Sequence, residues 1–305
     1  MNTDEPFHIK RLAIIGCGLM GGSVALALKR AGCVDHVVGY SRQASTRETA
    51  LRLGVIDEAA AGVATAVRDA EVVLLATPVG ALASTLQVIA PHLSSECVLT
   101  DVGSTKSDVA AIGKTHLGRH AARFVPAHPI AGKEHAGVEH AEADLYDERK
   151  VILTPQPHNA LGAIAKVQSM WQVCGGDVIS MPAQSHDRVF AAVSHLPHLL
   201  AFSYINGLAN QSESDLFFAL AGPGFRDFTR IAGANPEMWR DVFKSNREAI
   251  QEQIDQFRGA LNQFEKALAA QDSGALEAFV ARSRELRAPW RLNAAIPTRD
   301  DLTQQ

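Results

Sequence analysis

Residues 10–22 read KRLAIIGCGLMGG. A basic pair opens an apolar run at residues 12–15 that is too short for a helix and branched enough for a buried strand. Gly16, Gly18 and Gly21 complete G-x-G-x-x-G, and residues 23–28 continue as small, apolar, helix-forming side chains. The first glycine permits a tight turn, the second lets a pyrophosphate approach the backbone, and the third lets the helix pack closely on its strand. A helix that starts at Leu19 and Met20 aims free N–H groups at that phosphate without needing a positive side chain. The glycine pattern alone is weak evidence. Set between a strand signal and a helix signal, it reads as a dinucleotide-binding turn rather than a coincidence.

Outward from that turn, apolar runs recur at residues 36–40, 71–76, 97–100, 123–127, 151–154 and 177–181. They alternate with helical patterns at 46–53, 79–89, 107–117, where Ser107 is a candidate cap, and 159–174; residues 55–57 supply an edge strand or its approach. This order predicts a parallel sheet with right-handed crossovers and an enlarged nucleotide-binding unit over residues 1–181. Ligands in such sheets bind beyond the C-terminal strand ends, so Ser41, Thr77, Pro78 and Ser104 belong on one rim. The strand at 123–127 delivers His128 and Pro129 there, ahead of a polar, glycine-bearing loop.

The strand signal stops near Pro182. Apolar stretches follow at residues 185–208, interrupted by Pro197, then at 216–220, 236–269 and 275–286. Such helices must bury their apolar faces in a bundle or against a second copy. The fold class is therefore α/β: an N-terminal Rossmann-type parallel-sheet domain, residues 1–181, followed by an all-helical substrate-binding and dimerisation domain, residues 182–305. A homodimer through the helical part is expected, with residues 293–305 as a loose tail.

Composition narrows the classes further. Hydrophobic residues at 47% and charged residues at 20% fit a globular protein. No 18-residue uncharged apolar stretch occurs and MNTDEPFHIK lacks a signal segment, so the expectation is a cytoplasmic protein without a membrane partner. A net charge of −4 without a basic block argues against nucleic acid. The four cysteines are widely spaced and suit buried thiols better than disulfides or metal ligands.

The second strand ends in Ser41 and Arg42, followed by Gln43, Ser45, Thr46 and Arg47, where an NAD-binding unit carries a carboxylate for the ribose. A hydroxyl beside a guanidinium suits a ribose 2'-phosphate, so NADP is the expected preference, with NAD still accepted. The alternative is that Arg42 and Arg47 are only a solvated helix start.

His128, at the rim where a nicotinamide would lie, is the first candidate for proton exchange; a purely structural histidine is the alternative. Ser104 either holds the same substrate hydroxyl or caps the next helix. His195 and His198 in SHLPHLL lack carboxylate or cysteine companions at metal spacing, so no metal is expected, and at least one of them should face the cleft. Arg226 and Arg230 are four apart on one helical face, as a carboxylate clamp or as partners of Asp227 and Asp241. Trp239, Phe243 and Trp290 read as helix packing.

GCGLMGGS, ATPV at 76–79, DVGSTK at 101–106, HPIAG at 128–132, SHLPH at 194–198 and GPGFRDFTRIA at 222–232 together resemble the prephenate and arogenate dehydrogenases of tyrosine biosynthesis. The resemblance implies oxidative decarboxylation of a cyclohexadienyl substrate: prephenate to 4-hydroxyphenylpyruvate, or arogenate to tyrosine. It assigns His128 to the ring 4-hydroxyl, Ser104 to the same hydroxyl, a SHLPH histidine to the nicotinamide or substrate, and Arg230 or Arg226 to a substrate carboxylate. SRQAST at 41–46 is similar to the NADP-using arogenate dehydrogenases. An acidic residue facing the substrate side chain would favour arogenate, with Glu134, Glu139, Glu142 and Asp144 as candidates. Two rival classes remain: a two-domain dehydrogenase acting on a β-hydroxyacid or imino acid, expected to carry a lysine in its helical half, and a non-enzymatic dinucleotide sensor.

Overall fold

The apolar run before the glycine turn becomes the inner strand of a sheet in the computed structural model, which describes residues 7–133 and 135–292. Strands β1 (Ile9–Ile15), β2 (Val34–Tyr40), β3 (Glu58–Ala59), β4 (Val72–Leu75), β5 (Val98–Asp101) and β6 (Phe124–Val125) run parallel in the order β3-β2-β1-β4-β5-β6. Alternation along the inner strands serves two cores. Leu12, Ile14, Val72 and Leu74 face Val24, Leu28, Val167 and Trp171, whereas Ala13, Ile15, Val73 and Leu75 face Leu82, Leu86 and Val109. Strands covered on both faces lose the apolar-polar alternation, which is why the sequence shows short, wholly apolar runs. The strand order reverses between β1 and β4, and a crevice opens beyond their C-terminal ends.

The chain does not continue as one enlarged parallel unit. The stretch read as a single strand over 123–127 divides at Pro126: β6 closes the first sheet, and β7 (Ala127–Pro129) opens a second with β8 (Lys150–Leu153) and β9 (Asp177–Ser180). β7 pairs antiparallel with β8, and β8 parallel with β9. Proline lacks the N–H a continuing ladder needs. The next N–H, on Ala127, is taken instead by the Asp101 carboxylate at 3.0 Å.

Beyond β9 the described chain is helical. Helix Ala183–Phe190 passes through a π-helical turn, Ala191–His195, into helix Leu196–Ala209, with Pro197 in its first turn. Pro236–Ser245 and Arg247–Ala269 are separate helices rather than one, because the backbone breaks at Asn246, whose side-chain amide serves two buried acceptors. The chain gathers into two compact units, residues 1–250 and 251–305. The second contains the rest of the 247–269 helix and helix Ser273–Arg287, joined by Phe264 and Phe279 with ring centroids 5.4 Å apart. It leaves Leu268, Val280 and Leu286 exposed. The expected tail, 293–305, lies outside the described residues. Among those residues no helix is long and apolar enough to cross a membrane.

Gly16 has φ +108°, and a Cβ there would collide with the carbonyl oxygen of Ala76. Gly16→Ala therefore combines backbone strain with a backbone clash and should destabilise the protein by about 2–4 kcal/mol, read as a lowered midpoint in urea denaturation. An unchanged midpoint would show that the turn relaxes freely.

Candidate active site

The crevice at the sheet reversal is a cleft of about 670 Å³ whose lining includes Gly16, Ser41, Arg42, Thr46, Thr77 and Pro78. Six predicted cofactor residues thus meet in one place. The site fits a dinucleotide on three local observations. A Cβ on Gly18 would meet nothing within 4 Å, so the turn is open where a phosphate would come. Helix Leu19–Arg30 begins there with no acidic residue in its first turn, leaving the N–H groups of Leu19, Met20 and Gly21 for an anion. The Thr77 hydroxyl is buried without a partner. Leu19 itself is a core side chain, and Met20 gives its carbonyl to the Tyr146 hydroxyl at 2.7 Å, so both serve the cleft only through their N–H groups.

At the adenosine end, Ser41 Oγ accepts the Cys17 N–H at 2.9 Å and ties the second strand's end to the glycine turn. Arg47 is committed to the carbonyl of Ser41 and, at 3.3 Å, that of Arg42, and lies over the Tyr40 ring. Arg42 is exposed on the cleft lining, and its guanidinium makes no hydrogen bond or ion pair among the described residues.

At the other end of the rim, β7 carries His128 in a partly buried position. His128 Nδ1 lies 2.8 Å from His186 Nε2, and His186 Nδ1 lies 2.8 Å from Asp187 Oδ1. Asp187 accepts the Lys106 and Ser107 N–H groups at 2.8 Å each. It thereby caps helix Ser107–His116, the task given in the sequence reading to Ser107 or Ser104; the helix has no side-chain cap of its own. Ser104 stands in the turn after β5, which Asp101 Oδ2 fastens by accepting the Gly103 N–H at 2.8 Å.

His195 and His198 take different partners, and neither lines the cleft described above. His195 is 1% exposed, and its Nδ1 accepts from Asn246 Nδ2 at 3.1 Å, which places its proton on Nε2. His198 donates from Nδ1 to the Ser194 carbonyl at 2.9 Å and stacks on Trp239 with centroids 3.9 Å apart. Burial lowers the pKa of both, His195 to about 4, and the nearby Arg230 charge adds to the effect on His198. The two arginines do not share one α-helical face, because the helix Pro223–Thr229 ends before Arg230 and tightens into a 3-10 turn. Arg226 pairs with Asp227 in solvent, while Arg230 is close enough to the histidine cluster to act on His198. Glu142 pairs with Lys133. Glu134 lies outside the described residues.

Sequence reasoning missed four residues. Lys106, fully buried, donates to Asp101 Oδ2 at 2.5 Å and to the Ala127 carbonyl at 2.7 Å. Burial lowers the Lys106 pKa in spite of the Asp101 charge. Both residues stood in the DVGSTK motif, where a lysine and an aspartate amid apolar runs were the available signal. His186 and Asp187 sit in AQSHDRVF, an ordinary polar helix start, and nothing local marks them. Among the described residues no group of three or more His, Cys, Asp or Glu is arranged to hold a metal.

Glycine turn, open phosphate site and a histidine at the strand rim define a nicotinamide dinucleotide-dependent dehydrogenase. Residues 24–180 match the family description "Prephenate dehydrogenase, nucleotide-binding domain", and residues 182–282 match "Prephenate dehydrogenase, dimerization domain". The chain is 36% identical over 282 residues to a cyclohexadienyl dehydrogenase of Zymomonas mobilis, covering 91% of this chain and 95% of that one. It is 31% identical to the prephenate dehydrogenase of Bacillus subtilis, covering 95% and 79%. A crystal structure of Aquifex aeolicus prephenate dehydrogenase with hydroxyphenyl propionate and NAD+ superposes with TM-score 0.87 at 34% identity, covering 93% and 99%. Synechocystis arogenate dehydrogenase gives TM-score 0.77 at 29% identity, covering 91% and 99%. The chain belongs to the prephenate dehydrogenase family.

Burial holds His128, His186 and His195 neutral in the folded protein, with pKa values below that of a free histidine. The unfolded chain takes up protons below about pH 6.5 that the folded state refuses, so stability falls as pH drops from about 6.5 toward 4. Urea midpoints measured across that range should decline steadily; constant midpoints would show that these rings protonate freely in the native state.

Proposed function

We propose that the chain oxidatively decarboxylates a cyclohexadienyl acid, prephenate or arogenate, with His128 as the group that takes the ring 4-hydroxyl proton. The observation that carries this reading is His128 on β7, held by a hydrogen bond through Nδ1 with Nε2 left for a substrate. The bound nicotinamide supplies the hydride acceptor. His128 draws the hydroxyl proton onto Nε2 as the ring carbon is oxidised. Loss of the ring carboxylate as carbon dioxide then yields the aromatic product, whose oxygen recovers the proton. Ser104 stands in the turn fastened by Asp101 and shares the substrate hydroxyl. His195 presents an Nε2–H donor to the substrate or nicotinamide, while His198 shapes the wall against Trp239.

Arg230 anchors a substrate carboxylate. Its charge acts on His198, whereas Arg226 stands with Asp227 in solvent. Arg42 donates to the 2'-phosphate of NADP, the preferred cofactor; its uncommitted guanidinium supports that reading, and NAD remains usable. The rival hydroxyacid and imino acid classes lose ground, because both halves of the chain match prephenate dehydrogenase descriptions. Residues 182–305 form the dimerisation domain of a homodimer, supported by the exposed Leu220, Val280 and Leu286 and by the description matched at 182–282. A cytoplasmic placement accords with this chemistry.

His128→Asn should lower kcat by about 10²–10⁴ with cofactor affinity little changed, checked by steady-state kinetics and dinucleotide titration; an undiminished kcat would remove His128 from the reaction. Arg230→Ala should chiefly raise KM for the substrate, since an anchor serves ground and transition states alike, and an unchanged KM would move the anchor to Arg226. Arg42→Ala should reduce kcat/KM for NADP by about tenfold or more and leave that for NAD nearly as it was; equal losses for both would make Arg42 a surface charge.

A further inference from the structure

His186 and Asp187 lie outside the residues to which the reaction has been assigned, yet they are joined to His128 by a buried chain of hydrogen bonds with a single polarity. Asp187 Oδ1 accepts the Lys106 N–H and Oδ2 the Ser107 N–H, each at 2.8 Å. Burial alone would raise its pKa, but these bonds and the one to His186 outweigh burial and keep the carboxylate ionised. An ionised carboxylate only accepts, so the contact at 2.8 Å makes His186 Nδ1 the donor. Burial keeps His186 neutral. Its Nε2 therefore carries no proton and must accept across the 2.8 Å contact from His128 Nδ1–H. The remaining nitrogen of His128, Nε2, is then an unprotonated base.

We propose that His186 and Asp187 are positioning residues that fix His128 in the Nδ1–H tautomer, leaving Nε2 as the proton acceptor, and that they stabilise the imidazolium formed in the reaction. The inference rests on His128 being the acceptor of the substrate proton. In that step the substrate O–H bond breaks and an Nε2–H bond forms. The electron pair stays on oxygen as the nicotinamide takes the hydride, and the proton returns to the phenolic oxygen after decarboxylation. Without the chain, His128 would be free to put its proton on Nε2 and present a donor where an acceptor is required. Burial comes first in opposing protonation of His128, with the Lys106 charge and His195 acting in the same direction, while Asp187 and Asp101 act on His186 in the opposite sense. The carboxylate of Asp187 is thus the negative charge that the chain brings toward His128. Phe190 holds the geometry from the side, its ring centroid 4.8 Å from His128 and 4.4 Å from His186.

The first test needs no substrate. In the full chain labelled with ¹⁵N-histidine, the His128 signals, identified by their loss in His128→Gln, should show a protonated Nδ1 and an unprotonated Nε2 at pH 7.5. A protonated Nε2 would overturn the proposal. The second test separates positioning from packing. His186→Phe removes the acceptor and should lower kcat by about 10²–10⁴ with KM for the dinucleotide within twofold, the scale set by loss of an orienting group behind a catalytic histidine. His186→Gln offers Oε1 to His128 Nδ1–H and should restore kcat to within about tenfold of wild type, with the acidic limb of its pH profile displaced because Asp187 is no longer linked. Equal loss in both variants with unaltered tautomer signals would assign His186 to packing alone and overturn the proposal. Wild-type protein that shows the Nδ1–H tautomer but turns over neither cyclohexadienyl acid would instead overturn the proposed reaction while upholding the chain. Turnover with a protonated Nε2 would do the reverse.

Discussion

One buried carboxylate governs where the site stands. Asp101 ends β5 and uses both oxygens: Oδ1 takes the Ala127 N–H, and Oδ2 takes the Gly103 N–H and the Lys106 ammonium. Lys106 returns to the Ala127 carbonyl, so strand end, turn and second sheet are locked together. A buried ion pair adds little net stability over apolar residues of the same size, but losing one partner leaves a charge uncompensated at roughly 3–5 kcal/mol. The pair's contribution is registry. It lets the first sheet end after β6 and sets β7, with His128, beside the turn that holds Ser104.

Asp187 extends the same logic into the helical part. Its carboxylate caps the helix after the Asp101 turn and holds His186, while its carbonyl accepts from Asn246 at 2.8 Å. Asn246 also fixes His195. Two helix discontinuities, the π-helical turn at Ala191–His195 and the break at Asn246, therefore meet at one polar cluster. A widened turn within a helix commonly marks a functional site, and here it carries His195. The cofactor cleft needs no such charge, because open backbone at Gly18 and a helix start suffice for an anion.

The parallel sheet, the glycine turn and the helical second half were legible because each follows from local pattern. Apolar runs covered on both faces and glycines at fixed offsets are short-range signals. Gly16, Ser41, Arg42, Thr46, Thr77 and Pro78 met in one cleft because strand ends in a parallel sheet share a rim. The second sheet was not legible, since β7 and β8 are too short to signal their direction and Pro126 looks like any strand-end proline. His186 and Asp187 escaped for another reason: their roles come from partners 58 and 80 or more residues away in the chain. The pairing of Arg226 and Arg230 failed at a helix end, where the turn tightens to 3-10 geometry after Thr229 and periodicity no longer fixes direction.

The central claim is that this scaffold sets His128 Nε2 against the reacting hydroxyl. A crystal structure of the protein with oxidised dinucleotide and hydroxyphenyl propionate, an analogue of the aromatic product, tests it most directly. The ring hydroxyl should lie within roughly 2.6–3.2 Å of His128 Nε2, on the side of the ring that meets the nicotinamide, with Nδ1 still bonded to His186. A hydroxyl placed against another residue, with His128 turned away from the ligand, would contradict the account.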